Sequence, residues 1–150
     1  MSTSTDGGRR VSLQTYLDSS FLYALIDDGD PGHEQASSLY AEYDGGFVLS
    51  SYVFAETISL ITKWFGKSQA MAAGQWIRRS RRTVILHPGT DEFESAWSLF
   101  VERPESGFDL VDALSFRMML NQGLDTAFSL DRHFAQMGFT VRPALRQGGE

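Results

Sequence analysis

Thr15-Tyr16-Leu17-Asp18-Ser19-Ser20-Phe21-Leu22-Tyr23-Ala24-Leu25 is the stretch on which the reading of the chain turns. Upstream of Asp18, Val11, Leu13, Thr15 and Leu17 alternate with Ser12, Gln14 and Tyr16, the period-two pattern of a strand. Downstream, Phe21, Leu22, Leu25 and Ile26 recur at helical spacing. Asp18 therefore stands where a strand gives way to a helix. In open α/β sheets that edge is where ligands bind. A carboxylate there is either a helix N-cap or a chemical group, and the rest of the chain has to decide between them.

The remainder continues the alternation. Asp27 to Gly32 is a turn cluster, and His33 to Tyr43 reads as a helix stopped by Asp44-Gly45-Gly46. Phe47-Val48-Leu49-Ser50 is a short apolar strand, and Ser51 is placed to cap the helix that carries Phe54, Ile58, Ile61 and Phe65. Ser68 to Ser80 is a further helix, Thr83 to Leu86 a strand, and Asp91 to Glu102 a helix with an acidic first turn behind Thr90. Asp109 to Gln122 is a helix closed by Gly123, followed by a strand at Thr126 to Ser129. A short helix over Asp131 to Met137 and a strand over Phe139 to Val141 complete the series. Strands alternating with helices predict an α/β fold whose parallel sheet is covered on both faces. Right-handed crossovers then put the C-terminal strand ends on one edge.

A length of 150 residues fits one domain with its own core. The absence of cysteine excludes disulfides, iron–sulfur clusters and thiolate zinc sites. Residues 1–10 are polar, lack the apolar segment of a secretory signal, and read as a disordered tail; residues 143–150 read as a polar C-terminal tail. No apolar run approaches the ~20 residues of a membrane span, so the expectation is a cytoplasmic protein without membrane contact. A net charge of −6 argues against coating nucleic acid by bulk charge. It is compatible with a nuclease whose carboxylates bind cations.

Four acids fall at the expected edge: Asp18 after the first strand, Glu56 in the helix after the second, Asp112 in the helix before the fourth, and Asp131 after the fourth. Converging carboxylates without cysteine favour a hard divalent cation, Mg²⁺ or Mn²⁺, and phosphodiester hydrolysis is the matching reaction class. Each acid also has a plainer role. Asp18 and Asp131 fit as N-caps, and Asp109-x-x-Asp112 has capping-box spacing. Glu56 is well inside its helix, where no cap accounts for it, although a solvated surface position would.

Asp18-Ser19-Ser20-Phe21-Leu22, Ser50 to Glu56, Leu110-Val111-Asp112-Ala113-Leu114-Ser115-Phe116 and Ala127 to Phe134 together resemble PIN domains. The nearest likeness is to toxin nucleases of VapC type from bacterial toxin–antitoxin pairs, and it runs from about Tyr16 to Val141. The resemblance implies a three-layer α/β/α fold with a mainly parallel sheet over residues 11–142. It also implies a Mg²⁺- or Mn²⁺-dependent ribonuclease with Asp18, Glu56, Asp112 and Asp131 as metal-binding catalytic residues. An RNA substrate, a cognate antitoxin and a homodimer are the partners it implies. Ser19 stands where the family often has Thr and keeps the hydroxyl. Asp109 stands where Ser or Thr is frequent; it fits as an N-cap or as a fifth carboxylate near the metal.

Ser20 and Ser129 are placed to orient the Asp18 and Asp131 carboxylates. His133 could contact a substrate phosphate, but the exposed side of its short helix is the expected place for it. Arg78, Arg79, Arg81 and Arg82 could meet RNA phosphates or an acidic antitoxin segment, or simply complement a helix dipole. Trp64, Trp76 and Trp97 read as core or interface residues. Two competing functions remain at this level: a PIN nuclease of RNA processing without an antitoxin, and a non-catalytic interaction module whose acids only cap helices. An aspartate phosphatase would want an Asp where Ser20 stands. A phospho-receiver domain would want a lysine near the last strand, where there is none.

Overall fold

The computed structural model describes residues 3–6 and 9–144. Its body is a five-stranded sheet in the order β5-β4-β3-β6-β7, with every neighbouring pair parallel. The strands are β3 (Gln14–Leu17), β4 (Gly46–Ser50), β5 (Thr83–Leu86), β6 (Thr126–Phe128) and β7 (Thr140–Arg142). Between them run α1 (Ser19–Ile26), α2 (His33–Glu42), α3 (Ser51–Phe65), α4 (Lys67–Arg79), α5 (Thr90–Glu102), α6 (Leu110–Gln122) and α7 (His133–Gln136). Thr15, Tyr16 and Leu17 are buried in succession, as are Phe47 to Ser50. Only a sheet with helices on both faces buries consecutive residues in this way, and the α/β/α expectation is met.

The alternation before Asp18 proves deceptive. Instead of one strand from Val11, the chain makes a hairpin of β1 (Thr3–Asp6) and β2 (Arg9–Ser12), then breaks at exposed Leu13 before β3 begins. Of the segment read as a disordered tail, residues 3–6 and 9–10 belong to these strands, and residues 1, 2, 7 and 8 lie outside the described residues. Of the C-terminal tail, residues 145–150 lie outside the described residues.

β3 is the pivot of the sheet. Its Tyr16 pairs with Val48 of β4 on one side and Ala127 of β6 on the other. The chain moves from β3 to β4 and β5 in one direction and returns to β6 and β7 in the other. That reversal opens a crevice at the C-terminal ends of β3 and β6. The Asp18 N–H donates to the Phe128 carbonyl at 3.1 Å, which holds the two strand ends together at this point.

Local chemistry sets the helix boundaries. Ser50, rather than Ser51, caps α3, its Oγ accepting from the Val53 N–H at 3.1 Å. Gly123 closes α6 in the left-handed region at φ +68°, where a side chain would be strained. Arg82 is structural: Nε donates to the Gly45 carbonyl at 3.1 Å, Nη2 donates to the Tyr43 carbonyl, and the guanidinium lies 4.8 Å from the Phe47 ring centre. It is therefore withdrawn from any nucleic-acid role, while Arg78, Arg79 and Arg81 stay exposed. All three tryptophans are exposed and none belongs to the core.

The core is aromatic where the sheet carries the site. Phe128 packs against Tyr43, Phe21 and Phe47 with ring centres at 5.0, 5.2 and 6.0 Å. Phe128 sits one residue before Ser129 and directly supports the β3–β6 edge. Phe128→Ala is expected to cost about 3–5 kcal/mol, the range for a buried aromatic cut to a methyl group. Urea denaturation followed by circular dichroism measures it, and a loss below about 1 kcal/mol would show that the ring does not support the edge.

Candidate active site

Asp18 sits at the N-cap position of α1, with extended backbone angles, but its side chain makes no capping bond. Its carboxylate turns instead to two serines. Ser20 Oγ donates to Asp18 Oδ2 at 2.6 Å and Ser129 Oγ donates to the same oxygen at 2.9 Å. Each serine is pinned in turn by a main-chain donor, the Leu130 N–H on Ser20 at 3.0 Å and the Asp131 N–H on Ser129 at 3.0 Å. The two hydroxyls thus tie the end of β3 to the segment after β6. Asp18 is only 3% exposed. Burial pushes its pKa up, the Ser20 and Ser129 hydroxyls pull it back, and the charge of Asp131 pushes it up again.

Glu56 reaches the same place from α3. It accepts the Ser19 hydroxyl at 2.5 Å, which accounts for a hydroxyl at position 19. Its pKa is raised first by burial, with the charges of Asp109 and Asp18 adding to the effect and the Ser19 hydroxyl opposing it.

Asp112 and Asp109 form the capping box that their spacing suggested. The Asp112 N–H donates to Asp109 Oδ1 at 2.8 Å, and the Asp109 N–H donates to Asp112 Oδ2 at 3.1 Å. The capping role does not remove Asp112 from the cluster. Burial raises its pKa to about 8, against the Asp109 N–H, with the charges of Asp109, Asp18 and Asp131 adding to the rise. Asp109 is exposed, caps α6, and also lines the cleft.

Asp131 accepts the His133 N–H on Oδ1 at 2.9 Å, closing a tight turn into α7. His133 departs from expectation. Its ring faces the acids, with Nδ1 2.9 Å from Asp131 Oδ1 and 3.4 Å from Asp112 Oδ2. Its spacing of two residues from Asp131 is the only signal in the sequence, and a short helix leaves the direction of such a side chain open.

The four acids border one open cleft of about 720 Å³, walled also by Tyr23, Leu60 and Lys63. Among the described residues lining it, Lys63 alone carries positive charge. It lies two turns along α3 from Glu56, about 10 Å at 1.5 Å per residue. Acids crowded and partly desolvated in this way favour a bound cation, which restores their ionised forms. The donor set is all carboxylate oxygen apart from His133, and Mg²⁺ and Mn²⁺ fit it.

An acid whose folded-state pKa lies above its unfolded value favours the fold while protonated. For Asp112 that contribution is complete below the ordinary carboxylate range and is lost as pH climbs through about 8. Asp112→Asn removes the titration and keeps an oxygen for the Asp109 N–H. In metal-free protein, the stability of this variant relative to wild type is expected to grow between about pH 4 and pH 8, at no more than ~1.4 kcal/mol per pH unit. Urea midpoints across that range measure it, and a difference independent of pH would contradict the raised pKa.

The PIN domain family model matches residues 15–140. The chain is 35% identical over 129 residues to the 23S rRNA-specific endonuclease VapC20 of Mycobacterium tuberculosis, covering 85% of this chain and 98% of that protein. The crystal structure of M. tuberculosis VapC20, described as a sarcin-ricin loop cleaving toxin, superposes with a TM-score of 0.79 at 32% identity, covering 84% of this chain and 96% of that one. VapBC2 from Rickettsia felis, bound to a DNA fragment from its promoter, shares the fold with a TM-score of 0.64 at 16% identity, over 87% of this chain and 98% of that one. With its family signature spanning nearly all of the sheet and its four acids at the crevice, the chain belongs to the PIN domain family.

Proposed function

We propose that this protein is a divalent-metal-dependent endoribonuclease, the toxin of a toxin–antitoxin pair, with Asp18, Glu56, Asp112 and Asp131 as its metal-holding catalytic residues. The observation that carries the reading is the convergence of these four acids, from separate elements, on one cleft at the sheet's switch point. A module whose acids only cap helices does not need Asp18, whose side chain makes no cap, or Glu56, which lies mid-helix.

Mg²⁺ or Mn²⁺ held by the four acids would supply an activated water and offset charge on the phosphoryl oxygens. The chain's own residues do the positioning. Ser20 and Ser129 fix Asp18, Ser19 fixes Glu56, and the capping box fixes Asp112. Rigid placement of this kind is what converts bound groups into catalytic ones. Lys63 is placed to take a phosphate of the RNA strand beside the acids, since an anionic strand entering an acidic cleft needs a cation beyond the metal.

The substrate is RNA, and 23S rRNA is the first candidate because VapC20 is named for it. The exposed Trp64, Trp76 and Trp97 supply surface suited to protein partners, an antitoxin and a second copy of the chain. No described helix is long and apolar enough to cross a membrane; the cytoplasm, where ribosomal RNA resides, is the place of action that the proposed substrate implies. Growth arrest on expression, relieved by the product of a neighbouring small reading frame, tests the toxin role against a PIN nuclease of RNA processing.

Two variants test the chemistry. Asp18→Asn keeps the oxygen that accepts the two serine hydroxyls but lowers the charge. Cleavage of RNA in Mg²⁺ or Mn²⁺ is expected to fall at least about a hundredfold, with the circular dichroism spectrum unchanged. Undiminished cleavage by the folded variant would show that Asp18 is not a catalytic residue. Lys63→Ala is expected to weaken RNA binding and to lower the slope of log affinity against log salt by about 0.7, the value of one released counterion on a single strand. A slope equal to wild type in fluorescence anisotropy titrations would remove Lys63 from the RNA path.

A further inference from the structure

We propose that His133 is an additional metal ligand, its Nδ1 joining Asp112 and Asp131, and that this nitrogen makes the site prefer Mn²⁺ to Mg²⁺. The inference rests on the metal-centre reading above and deepens it.

The geometry converges on one point. Nδ1 lies 2.9 and 3.0 Å from the two carboxylate oxygens of Asp131 and 3.4 Å from Asp112 Oδ2. One ligand atom from each of the three residues falls within 4.8 Å of the others. That span matches two metal–ligand bonds of about 2.0–2.6 Å meeting at one ion.

The ring is also held there. The His133 N–H donates to Asp131 Oδ1 at 2.9 Å, so the backbone is committed to the turn. Phe134, the next residue, is fully buried and packs on Phe116 with ring centres 4.9 Å apart. Gly107 lies against the far edge of the imidazole: a Cβ there would stand 3.1 Å from Nε2. The loop before α6 thus passes close behind the ring and backs it toward the acids.

Ionised carboxylates are acceptors only, and a neutral imidazole nitrogen without hydrogen is a lone-pair donor. Lone pairs from three residues facing one point call for protons or a metal ion between them. A proton on Nδ1 is shared among these oxygens only as a bifurcated hydrogen bond. A metal ion serves all three residues together. The nitrogen then changes the ion that fits best. Mg²⁺ is bound through oxygen and keeps its waters. Mn²⁺ shares with Mg²⁺ a preference for oxygen and stands lowest among the first-row ions in its affinity for nitrogen, but as a transition ion it still gains more from an imidazole donor than Mg²⁺, which is bound through oxygen.

The alternative is that His133 only donates Nδ1–H to Asp131 and orients it. Pulsed electron paramagnetic resonance of Mn²⁺ bound to the full chain separates the two, because a coordinated imidazole imprints ¹⁴N modulation on the manganese signal. The expected result is ¹⁴N modulation in wild type and none in His133→Asn. Calorimetry with each ion should show the Mn²⁺/Mg²⁺ affinity ratio falling about tenfold or more in His133→Asn, the scale on which such partners tune metal sites. The wild-type spectrum stands by itself if the variant does not fold. Mn²⁺ binding without ¹⁴N modulation, modulation that persists in His133→Asn, or an unchanged affinity ratio overturns the ligand assignment alone. A wild-type protein that binds no Mn²⁺ overturns both this inference and the metal-centre reading.

Discussion

The buried carboxylate of Asp18, shared between Ser20 and Ser129, is the interaction on which the rest of the site depends. Ser20 belongs to the helix after β3, and Ser129 to the segment after β6. By accepting both hydroxyls on one oxygen, Asp18 joins the two sides of the crevice. The same serines receive the N–H groups of Leu130 and Asp131, so the backbone that presents Asp131 is fixed by the hydroxyls that fix Asp18. A buried charge is tolerated only when hydrogen-bonded or paired. Here the hydrogen bonds that permit burial also set the geometry of a second acid.

Capping and chemistry turn out not to be rivals at these positions. Asp112 accepts the N–H of its capping partner and still lies among the other acids. Asp131 closes a turn with one oxygen and remains beside His133 with both. A helix N-terminus is a good place for an acid because the dipole and the free N–H groups stabilise negative charge. In this fold the helix starts gather at the strand ends, so local stabilisation and convergence have the same origin. Asp18 is the exception: its capping position is occupied but its carboxylate is spent across the sheet.

Much of this was legible in the sequence, for physical reasons that can be named. The strand-to-helix break at Asp18 and the strands and helices after it follow from periodicity, and their ends fall within a residue or two of the structure for the longer elements. The four acids could be assigned to strand ends because parallel connections leave little choice of edge. What failed was whatever depended on side-chain direction or on the far side of a contact. Val11 and Leu13 alternate like a strand, yet the pattern carries no information on where a hairpin ends and the sheet begins. Arg82 reads as part of a basic cluster, but its guanidinium lies over the Phe47 ring and donates to two carbonyls. His133 sits in a helix of four residues, too short for periodicity to say which way it faces. The order of the strands, with β3 at the centre, is likewise a matter of pairing between distant segments.

The site and the core make opposite demands at the same sheet edge. Crowded acids repel and resist burial, as the upward shifts of Asp18, Glu56 and Asp112 record. Just beneath them lie Phe21, Phe47 and Phe128, fully buried and in ring contact, with Tyr16 donating its hydroxyl to Ser115 at 2.8 Å. Apolar burial is non-directional and tolerates no empty space, so it can supply stability without dictating where the acids point. Hydrogen bonds are directional and contribute little net stability, so they can dictate direction without supplying much of it. The structure divides the work along that line. Aromatic packing holds the strand ends against the repulsion above them. Ser19, Ser20 and Ser129 aim the carboxylates. A cation entering the cleft would then relieve the repulsion without moving the groups that meet it, so binding would stabilise a geometry the fold already maintains.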